Sequence, residues 1–574
     1  MLKIKQNIAS NIQKGILAIN PAAELTVDEL AGMLEYPPDA GMGDLALPCF
    51  KLSKTLRRAP VMIAQTLAEH LDCDCIESAE AVNGYLNIRL SPAYLTDHVL
   101  CSVLEKKEKY GAPDVGKGKK VVLDYSSPNV AKPFHIGHLG TTVIGHSLKK
   151  MHEFAGYNCY GINYLGDWGT QFGKLILAYN TWGSKEMVEQ GGIDTLVELY
   201  VKINNAITEE KEQGKTELAD AARAEFHKME TGDEQNLALW KWFIQISLEE
   251  YEKTYAQLGI TFDSYLGESF YTDKMPAQVQ KLRDAGLLKL DDGASIVDLD
   301  EYGMPPCLIL KRDGSTLYPT RDIAAAVYRK ENYHFDKCIY VTSTQQILHF
   351  KQWFKVVELM GYDWHDQLVH VPYGTVSIGG AKLATRTGNV VLLRDLFGAA
   401  IEKVTEIMEE KNPEMKGRTD VAEAVGVGAI VFYYLTNNRI KDIDFNMDDA
   451  LSFDGNTGPY VQYTYARACS VLEKAGEPAA IDYKITAPEE QALLKVLATY
   501  EEKVLMALRD YEPSVITRFI LDVAVAFNRF YHNCRILSET DKRVKQTRIA
   551  LTLATKHVLG SAFEMICLKK TEKI

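Results

Sequence analysis

Val121-Val122-Leu123-Asp124-Tyr125-Ser126-Ser127-Pro128-Asn129-Val130-Ala131-Lys132-Pro133-Phe134-His135-Ile136-Gly137-His138-Leu139 is the stretch whose reading decides the fold. Its apolar beginning reads as a strand and helical-looking sequence follows Leu139, so the polar residues between them turn a strand end into a helix. In open α/β folds nucleotides bind at that place. His135 and His138 are three apart and fall on one face of the first helical turn, and Gly137 between them leaves room for a ligand to approach the backbone. Free N–H groups and the helix dipole favour an anion there, and Lys132 and the two imidazoles add donors suited to a triphosphate. H-x-G-H alone is short, and a pair of surface histidines on a helix cap also fits it.

Working outward, 574 residues exceed one compact core and suggest about three or four domains. A composition of 46% apolar and 25% charged residues excludes a disordered chain and predicts a folded, soluble one. The longest apolar stretch, Ala424 to Leu435, is well short of the roughly 20 residues that span a membrane, so no transmembrane segment is expected. The start, Met1-Leu2-Lys3-Ile4-Lys5-Gln6-Asn7-Ile8, places isoleucines at helical spacing and lacks the continuous apolar core of a signal peptide, which predicts a cytoplasmic protein. Ten scattered cysteines without paired C-x-x-C spacing predict reduced, mostly buried thiols and no structural zinc. The net charge of -13 weighs against a nucleic-acid binder, but basic segments stand at Lys51 to Arg58 and Lys542 to Arg548.

Three regions follow from the periodicity. Residues 1–112 mix helical periodicity with a strand-like piece, Gly84 to Leu90, and the polar stretch Glu105 to Lys120 marks a boundary. Residues 113–440 alternate strands with helices in the βαβ manner, with strand-like runs at Cys338 to Val341 and Leu368 to Val371 and a helical insertion over about 170–260. Residues 441–574 read as helical to the end, with long periodic segments at Glu489 to Leu508 and Ser514 to Arg529 that predict a helical bundle.

Taken together, the fourteen residues Ser126 to Leu139 resemble the signature of class I aminoacyl-tRNA synthetases, and within that class the arginyl-tRNA synthetases. The resemblance implies an α/β fold: a Rossmann-type parallel-sheet catalytic domain with inserted helices, an N-terminal α+β domain and a C-terminal all-α anticodon-binding bundle. It implies that residues 1–112 grip the tRNA elbow, with Tyr85 and Asn87 at the positions that contact a loop base. Stacking on an aromatic face suits an unpaired base, while a Tyr85 buried within its strand is the other reading.

An enzyme that selects arginine must desolvate a guanidinium, and a buried cation needs carboxylate partners with fork geometry. In Leu317-Tyr318-Pro319-Thr320-Arg321-Asp322-Ile323-Ala324-Ala325-Ala326, Tyr318 and Asp322 are four apart, on one helix face, although a solvated aspartate at a helix start also fits. The family's T-Y-x-T-R-D-I-A-A-A pattern implies that Asp322 pairs with the guanidinium while Tyr318 packs beside it. Asp124 stands where the family usually has glutamate, with the charge kept and the reach shorter. Asn129, and Gln346 in Tyr340-Val341-Thr342-Ser343-Thr344-Gln345-Gln346-Ile347-Leu348-His349-Phe350, resemble the residues that orient the amino-acid head group, a task suited to neutral amides. Ser343 and Gln345 depart from the family's usual glycine and acidic residue.

A second phosphate-binding loop, of the K-M-S-K-S type, appears as Lys382-Leu383-Ala384-Thr385-Arg386-Thr387-Gly388-Asn389, which could also be a basic surface loop. Lys382 keeps the first lysine and the second is missing. The resemblance implies that Lys132 compensates, since a fixed cation near the α-phosphate stabilises the charge that develops there whichever loop supplies it. The implied catalytic set is therefore Lys132, His135, His138 and Lys382, with Gly137 completing the ATP site.

Asn163-Tyr164-Leu165-Gly166-Asp167-Trp168-Gly169-Thr170-Gln171-Phe172-Gly173, Phe262-Asp263 and Gly267-Glu268-Ser269-Phe270-Tyr271 also match the family, and Asp167 and Trp168 either line the site or form a structural turn. Gly455-Asn456-Thr457-Gly458-Pro459-Tyr460-Val461-Gln462-Tyr463 resembles the segment joining the catalytic and anticodon-binding parts, its tyrosines either core aromatics or base-stacking platforms. Where the family commonly continues H-L-R-S-T, this chain has His138-Leu139-Gly140-Thr141-Thr142, either an arginine lost from the nucleotide side or a variation of the helix surface.

The implied activity is arginine–tRNA ligation: L-arginine and ATP give an adenylate, and tRNA(Arg) takes the arginine at its 3′ end, with adenylate formation waiting for tRNA. ATP comes as its Mg2+ complex, no protein ligand set for a metal is visible, no membrane is involved, and a monomer is expected. Two other functions compete. A small-metabolite nucleotidylyltransferase shares H-x-G-H but has no need of the first and last regions. A non-catalytic tRNA-binding relative accounts for the altered loop, but not for retention of Lys132, His135, His138, Asp322 and Lys382.

Overall fold

In the computed structural model the described residues are 1–378, 381–382, 391–480 and 482–574, with the backbone alone for Ala40, Ala381 and Lys382. A four-stranded parallel sheet lies at the centre: β1 (Lys120–Asp124), β2 (Asn158–Ile162), β3 (Lys337–Ser343) and β4 (Leu368–Tyr373), in the spatial order β4-β3-β1-β2. Val121, Val122, Leu123 and Asp124 are buried in succession, as expected of a parallel strand covered on both faces. The chain runs from β1 outward to β2, then returns to the other side of β1 to lay down β3. The crevice where the direction reverses is therefore at the carboxyl ends of β1 and β3.

Helix α1 (Leu139–Phe154) joins β1 to β2. Four helices then interrupt the alternation, Thr170–Trp182, Lys185–Glu212, Glu217–Glu230 and α2 (Glu234–Leu258), around Phe172, Leu175, Ile176, Leu196, Leu199 and Phe243. The buried stripe Phe243, Ser247, Tyr251, Thr254, Tyr255 and Leu258 of α2 follows the helical period and faces the sheet domain. Helix α3 (Tyr318–Tyr333) leads into β3, and α4 (Ile347–Leu359) connects β3 to β4.

The N-terminal region holds a three-stranded antiparallel sheet with Tyr85–Leu90 between Leu45–Pro48 and Ile76–Val82. Period two sends Leu86, Ile88 and Leu90 into the core and leaves Tyr85 and Arg89 exposed, so Tyr85 is not a buried strand residue. This region docks on the C-terminal helices through Lys5–Glu502 at 2.8 Å and Lys495–Asp44 at 2.6 Å.

The apolar stretch Ala424 to Leu435 lies in a helix, Thr419–Thr436, that packs against Leu393–Lys411, Gly458–Ala475 and Ser514–Asn533. Its hydrophobicity is that of a core helix, and among the described residues no helix is long and apolar enough to cross a membrane. The Glu489 to Leu508 segment is two helices, Pro488–Ala498 and Tyr500–Asp510, divided at Thr499, whose hydroxyl bonds back to the Val496 carbonyl at 2.8 Å. Helix Lys542–Met565 uses Arg548 internally, against Glu490 at 2.6 Å and Glu539 at 2.8 Å, so the second basic segment does not present that charge to a ligand. Reduced thiols describe eight cysteines. Cys73 and Cys75 form a disulfide, the turn before Ile76 bringing their Cα atoms to 5.3 Å.

Two buried histidines on α1 give the fold a pH dependence. Burial lowers His146 to about 3 and His152 to about 4, from 6.5. The native state keeps them neutral while the unfolded chain protonates below its own pKa, so this stability is present at pH 7 and is lost as the pH falls below 6.5. Between pH 7 and 5 each histidine costs about 2 kcal/mol, read as a fall in the urea midpoint. The variant His152→Asn is expected to show a shallower slope than the parent, and equal slopes would remove His152 from the account.

Candidate active site

The turn after β1 is bent by non-glycine residues in left-handed backbone: Ser126 at φ 71°, Ser127 at 48° and Ala131 at 58°. Such residues persist where neighbouring groups fix them. The Ser126 N–H donates to Thr141 Oγ1 at 3.0 Å, and Ser126 Oγ lies 2.7 Å from the Tyr255 hydroxyl. The Ser127 N–H donates to Asn163 Oδ1 at 3.1 Å and the Ala131 N–H to Ser247 Oγ at 3.0 Å. The Tyr251 hydroxyl lies 2.8 Å from the Asn129 carbonyl and 2.7 Å from that of Lys132. Three residues of one α2 face therefore set the turn's shape.

Beyond it, Ile136–His138 forms a single 3-10 turn into α1. The Gly137 N–H donates to His135 Nδ1 at 3.1 Å, and the His135 N–H donates to His138 Nδ1 at 3.2 Å. With both Nδ1 atoms accepting, the proton of each neutral ring sits on Nε2, which makes two side-by-side donors with ring centroids 3.9 Å apart. Burial, with Lys132 nearby, lowers His135 to about 4, and burial holds His138 well below the usual histidine range. Lys132 is itself lowered by burial. A Cβ at position 137 would stand 2.7 Å from His135 Cε1 and push the ring from its place, so glycine there lets the imidazole fold over the turn.

Lys382 lies in a two-residue strand, Ala381–Lys382, paired with Val376–Ile378, and its side chain falls outside the described residues, as do Thr385, Arg386 and Thr387. The far flank of that loop is zipped to the histidine turn. Ile136 N–H donates to the Val391 carbonyl and Leu393 N–H to the Phe134 carbonyl, both at 3.0 Å. The two candidate phosphate elements are thus joined by backbone bonds.

At the β1–β3 crevice, three carboxylates each meet a basic residue of the chain. Asp124 Oδ2 lies 2.8 Å from Arg329 Nη2 while its Oδ1 accepts from Ser127 Oγ at 3.0 Å. Glu268 Oε2 lies 2.8 Å from Arg321, and Asp322 Oδ2 lies 2.6 Å from His349 Nε2. Burial pushes the Asp124 carboxyl up against the pull of Arg329, and burial with Asp322 and Asp167 nearby pushes Glu268 up to about 7. Arg329 is fully buried, its guanidinium over the rings of Tyr164, Tyr340 and Tyr271 at 5.3, 5.4 and 6.0 Å. The helix places Tyr318 one turn before Asp322, as the spacing predicts, with the ring 67% exposed. Gln346 and Asn129 are exposed, and the Asn129 amide lies over Gly166, where a Cβ would be 2.2 Å from Oδ1.

Asp167 and Trp168 serve structure: the carboxylate accepts from the Ser269 N–H at 2.8 Å and hydroxyl at 2.6 Å, and the indole packs edge-on to Trp240 and Phe226. Arg329, Arg321, Glu268 and His349 are absent from the set read in the sequence. The spacing of seven between Asp322 and Arg329 puts both on one helix face and was the available signal. Of the two readings open for Tyr463 the structure takes the exposed one, and it sets beside it Tyr531, which the sequence did not single out because only packing exposes it. They are 44% and 38% exposed, hold Arg467 over both rings at 5.0 and 4.9 Å, and line a cavity of about 700 Å³. Tyr460 points inward and accepts from Asn528.

The chain matches three family models: tRNA synthetases class I (R), catalytic domain, over residues 99–447; arginyl tRNA synthetase N terminal domain over 2–90; and DALR anticodon binding domain over 461–574. It is 50% identical over 551 residues to the arginine–tRNA ligase of Alkaliphilus metalliredigens, covering 95% of this chain and 96% of that protein. It is 49% identical over 555 residues to that of Clostridioides difficile, covering 96% and 97%. In fold it is similar to the solved arginyl-tRNA synthetase of Thermus thermophilus, with a TM-score of 0.82, 24% identity, and 99% of this chain and 100% of that one covered.

Gly140 is buried, so it is not a surface variation. A Cβ there would stand 2.2 Å from the Tyr434 hydroxyl and 3.0 Å from the Tyr373 ring, so these tyrosines occupy the room an arginine would need. Gly140→Ala is expected to destabilise the chain by about 1–3 kcal/mol through overpacking, and Tyr434→Phe in the same chain to recover part of it. Purely additive effects in urea unfolding would show that the two positions do not compete for space.

Proposed function

This chain belongs to the arginyl-tRNA synthetase family, and we infer from that premise that it is an arginine–tRNA ligase acting with ATP. The observation that carries the reading is a pair of neutral, Nε2-protonated histidines beside Lys132 at a strand-to-helix turn, with Asp322 in the adjoining crevice. Neutral imidazoles bind triphosphate oxygens by hydrogen bonding, and the lysine supplies charge where it develops.

We assign His135, Gly137 and His138 to the phosphates, Lys132 and Lys382 to the α-phosphate region, Asp322 and Tyr318 to the guanidinium, and Asn129 and Gln346 to the head group. Asp124, which the resemblance also placed at the substrate, is already engaged by Arg329 and Ser127 and lines that pocket as a paired carboxylate. The arginine carboxylate oxygen attacks the α-phosphorus and pyrophosphate leaves. A terminal ribose hydroxyl of tRNA then attacks the activated carbonyl carbon, and AMP leaves. No side chain serves as a nucleophile, so positioning and electrostatics carry the rate. ATP enters as its Mg2+ complex, and the chain works as a cytoplasmic monomer.

For the tRNA, we assign the elbow to the exposed face bearing Tyr85 and Asn87, where Phe50 packs edge-on to Tyr85 at 4.8 Å beside exposed Lys51, Lys54, Arg57 and Arg58. The anticodon loop is assigned to the Tyr463–Arg467–Tyr531 groove, where bases stack on exposed rings. Near-complete coverage of the ligases disfavours both a nucleotidylyltransferase and a non-catalytic relative.

The test is arginine-dependent exchange of pyrophosphate into ATP, with and without tRNA(Arg). Exchange is expected with tRNA, and its absence under both conditions from folded protein overturns the reading. Asp322→Asn is expected to raise the arginine KM about 100-fold while sparing the ATP KM, because a buried cation is left underpaired. Lys132→Ala is expected to slow adenylate formation about 100-fold. Tyr463→Ala or Tyr531→Ala is expected to raise the tRNA KM about 10-fold through lost stacking.

A further inference from the structure

The three crevice carboxylates differ in the partner that each already has. Arg329 at Asp124 and Arg321 at Glu268 carry permanent charge, so neither pair holds an uncompensated negative charge before any ligand arrives. Asp322 is held by an imidazole, which can donate Nε2–H without carrying a charge. A second guanidinium gains little at a carboxylate that an arginine has already neutralised, and most at one whose charge is uncompensated. We propose that His349 is the positioning residue that makes Asp322 the receptor for the substrate guanidinium, fixing the carboxylate through Oδ2 and leaving Oδ1 for the ligand. The proposal rests on the arginine-activating reading given above.

The surroundings fit that division. His349 stands three residues after Gln346, so one short segment at the start of α4 serves both ends of the amino acid: Gln346 at the head group and His349, through Asp322, at the side chain. The side chains of Asp322 and His349 are 22% and 26% exposed, partly shielded yet reachable. Behind His349, the next imidazole belongs to β4: His370 is lowered to about 4 by burial, lies 2.8 Å from Thr342 Oγ1 and stacks on Phe350 at 4.2 Å. It brings no positive charge to the pair. Asp124, Glu268, Tyr164 and Cys307 are among the groups within electrostatic reach of Asp322.

A fixed cation at position 349 would compete directly with the substrate, and loss of the donor would free the carboxylate to rotate. The full-length chain with tRNA(Arg) is assayed by pyrophosphate exchange, reading the arginine KM, the ATP KM and kcat separately. His349→Ala is expected to raise the arginine KM about 10-fold with the ATP KM unchanged, as for loss of a hydrogen bond to a charged group. His349→Gln, whose amide can still donate, is expected to restore most of that loss, and His349→Lys to raise the arginine KM at least about 100-fold. Thermal melting of each variant separates a folding defect from a binding one. An unchanged arginine KM in His349→Ala, equal rises in both KM values, or near-parent arginine binding in His349→Lys would overturn the proposal. If the parent chain shows no arginine-dependent exchange, the functional reading fails instead, so the two failures are distinct.

Discussion

A turn of three left-handed, non-glycine residues is held open by a helix that the chain makes more than a hundred residues later, and the rest of the site depends on that restraint. Ser126, Ser127 and Ala131 each give up about 1–3 kcal/mol of backbone comfort. Ser247, Tyr251 and Tyr255 of α2 supply hydrogen bonds that the turn cannot make with itself, across sequence separations of 116 to 129 residues. The helical insertion is therefore part of the active site's frame. Without α2, the turn that carries Lys132 would lose the Ser247, Tyr251 and Tyr255 bonds that hold its backbone.

On that frame the electrostatics divide into two halves. At the histidine turn, burial removes charge from the imidazoles, and their backbone bonds choose the tautomer that aims Nε2–H outward. At the crevice, burial works against the carboxylates, and resident arginines hold two of them in place. Nε2–H donors therefore stand in one half and carboxylates in the other. A cation and a polyanion, such as arginine and ATP, are the kind of ligand pair that this division suits.

Much of this was legible in the sequence, for physical reasons that differ by region. The parallel strands were visible because burial on both faces leaves unbroken apolar runs such as Val121 to Leu123. Four-residue spacing put Tyr318 and Asp322 on one helix face, and the resemblance to the family's T-Y-x-T-R-D-I-A-A-A pattern singled them out. The partners of the carboxylates were not visible. Arg329 reaches Asp124 across more than two hundred positions, and only the sheet order, which sets β3 beside β1, brings α3 over that strand end. Gly140 misled for the same reason: a glycine in a helix reads as surface variation until Tyr434, from a helix nearly three hundred residues on, is found filling its place. The break at Thr499 escaped because apolar periodicity continues through it.

Helix α2 also ties the histidine turn to the far flank of the second candidate phosphate element. Tyr251 anchors the carbonyls of Asn129 and Lys132, while its neighbour Glu250 accepts from Arg394 at 3.2 Å, just past residues 391–393, which bond to the histidine turn. Arg394 also reaches Asp194 at 2.8 Å, on the adjacent inserted helix. Adjacent residues of one helix therefore grip the first element through its backbone and the flank of the second through its side chain. A displacement of α2 would carry both together, with the Ile136–Val391 and Leu393–Phe134 bonds keeping them in register. Their relative position is set by covalent adjacency on a rigid helix, which is why the strained turn and the ion pairs around it belong to a single mechanical unit.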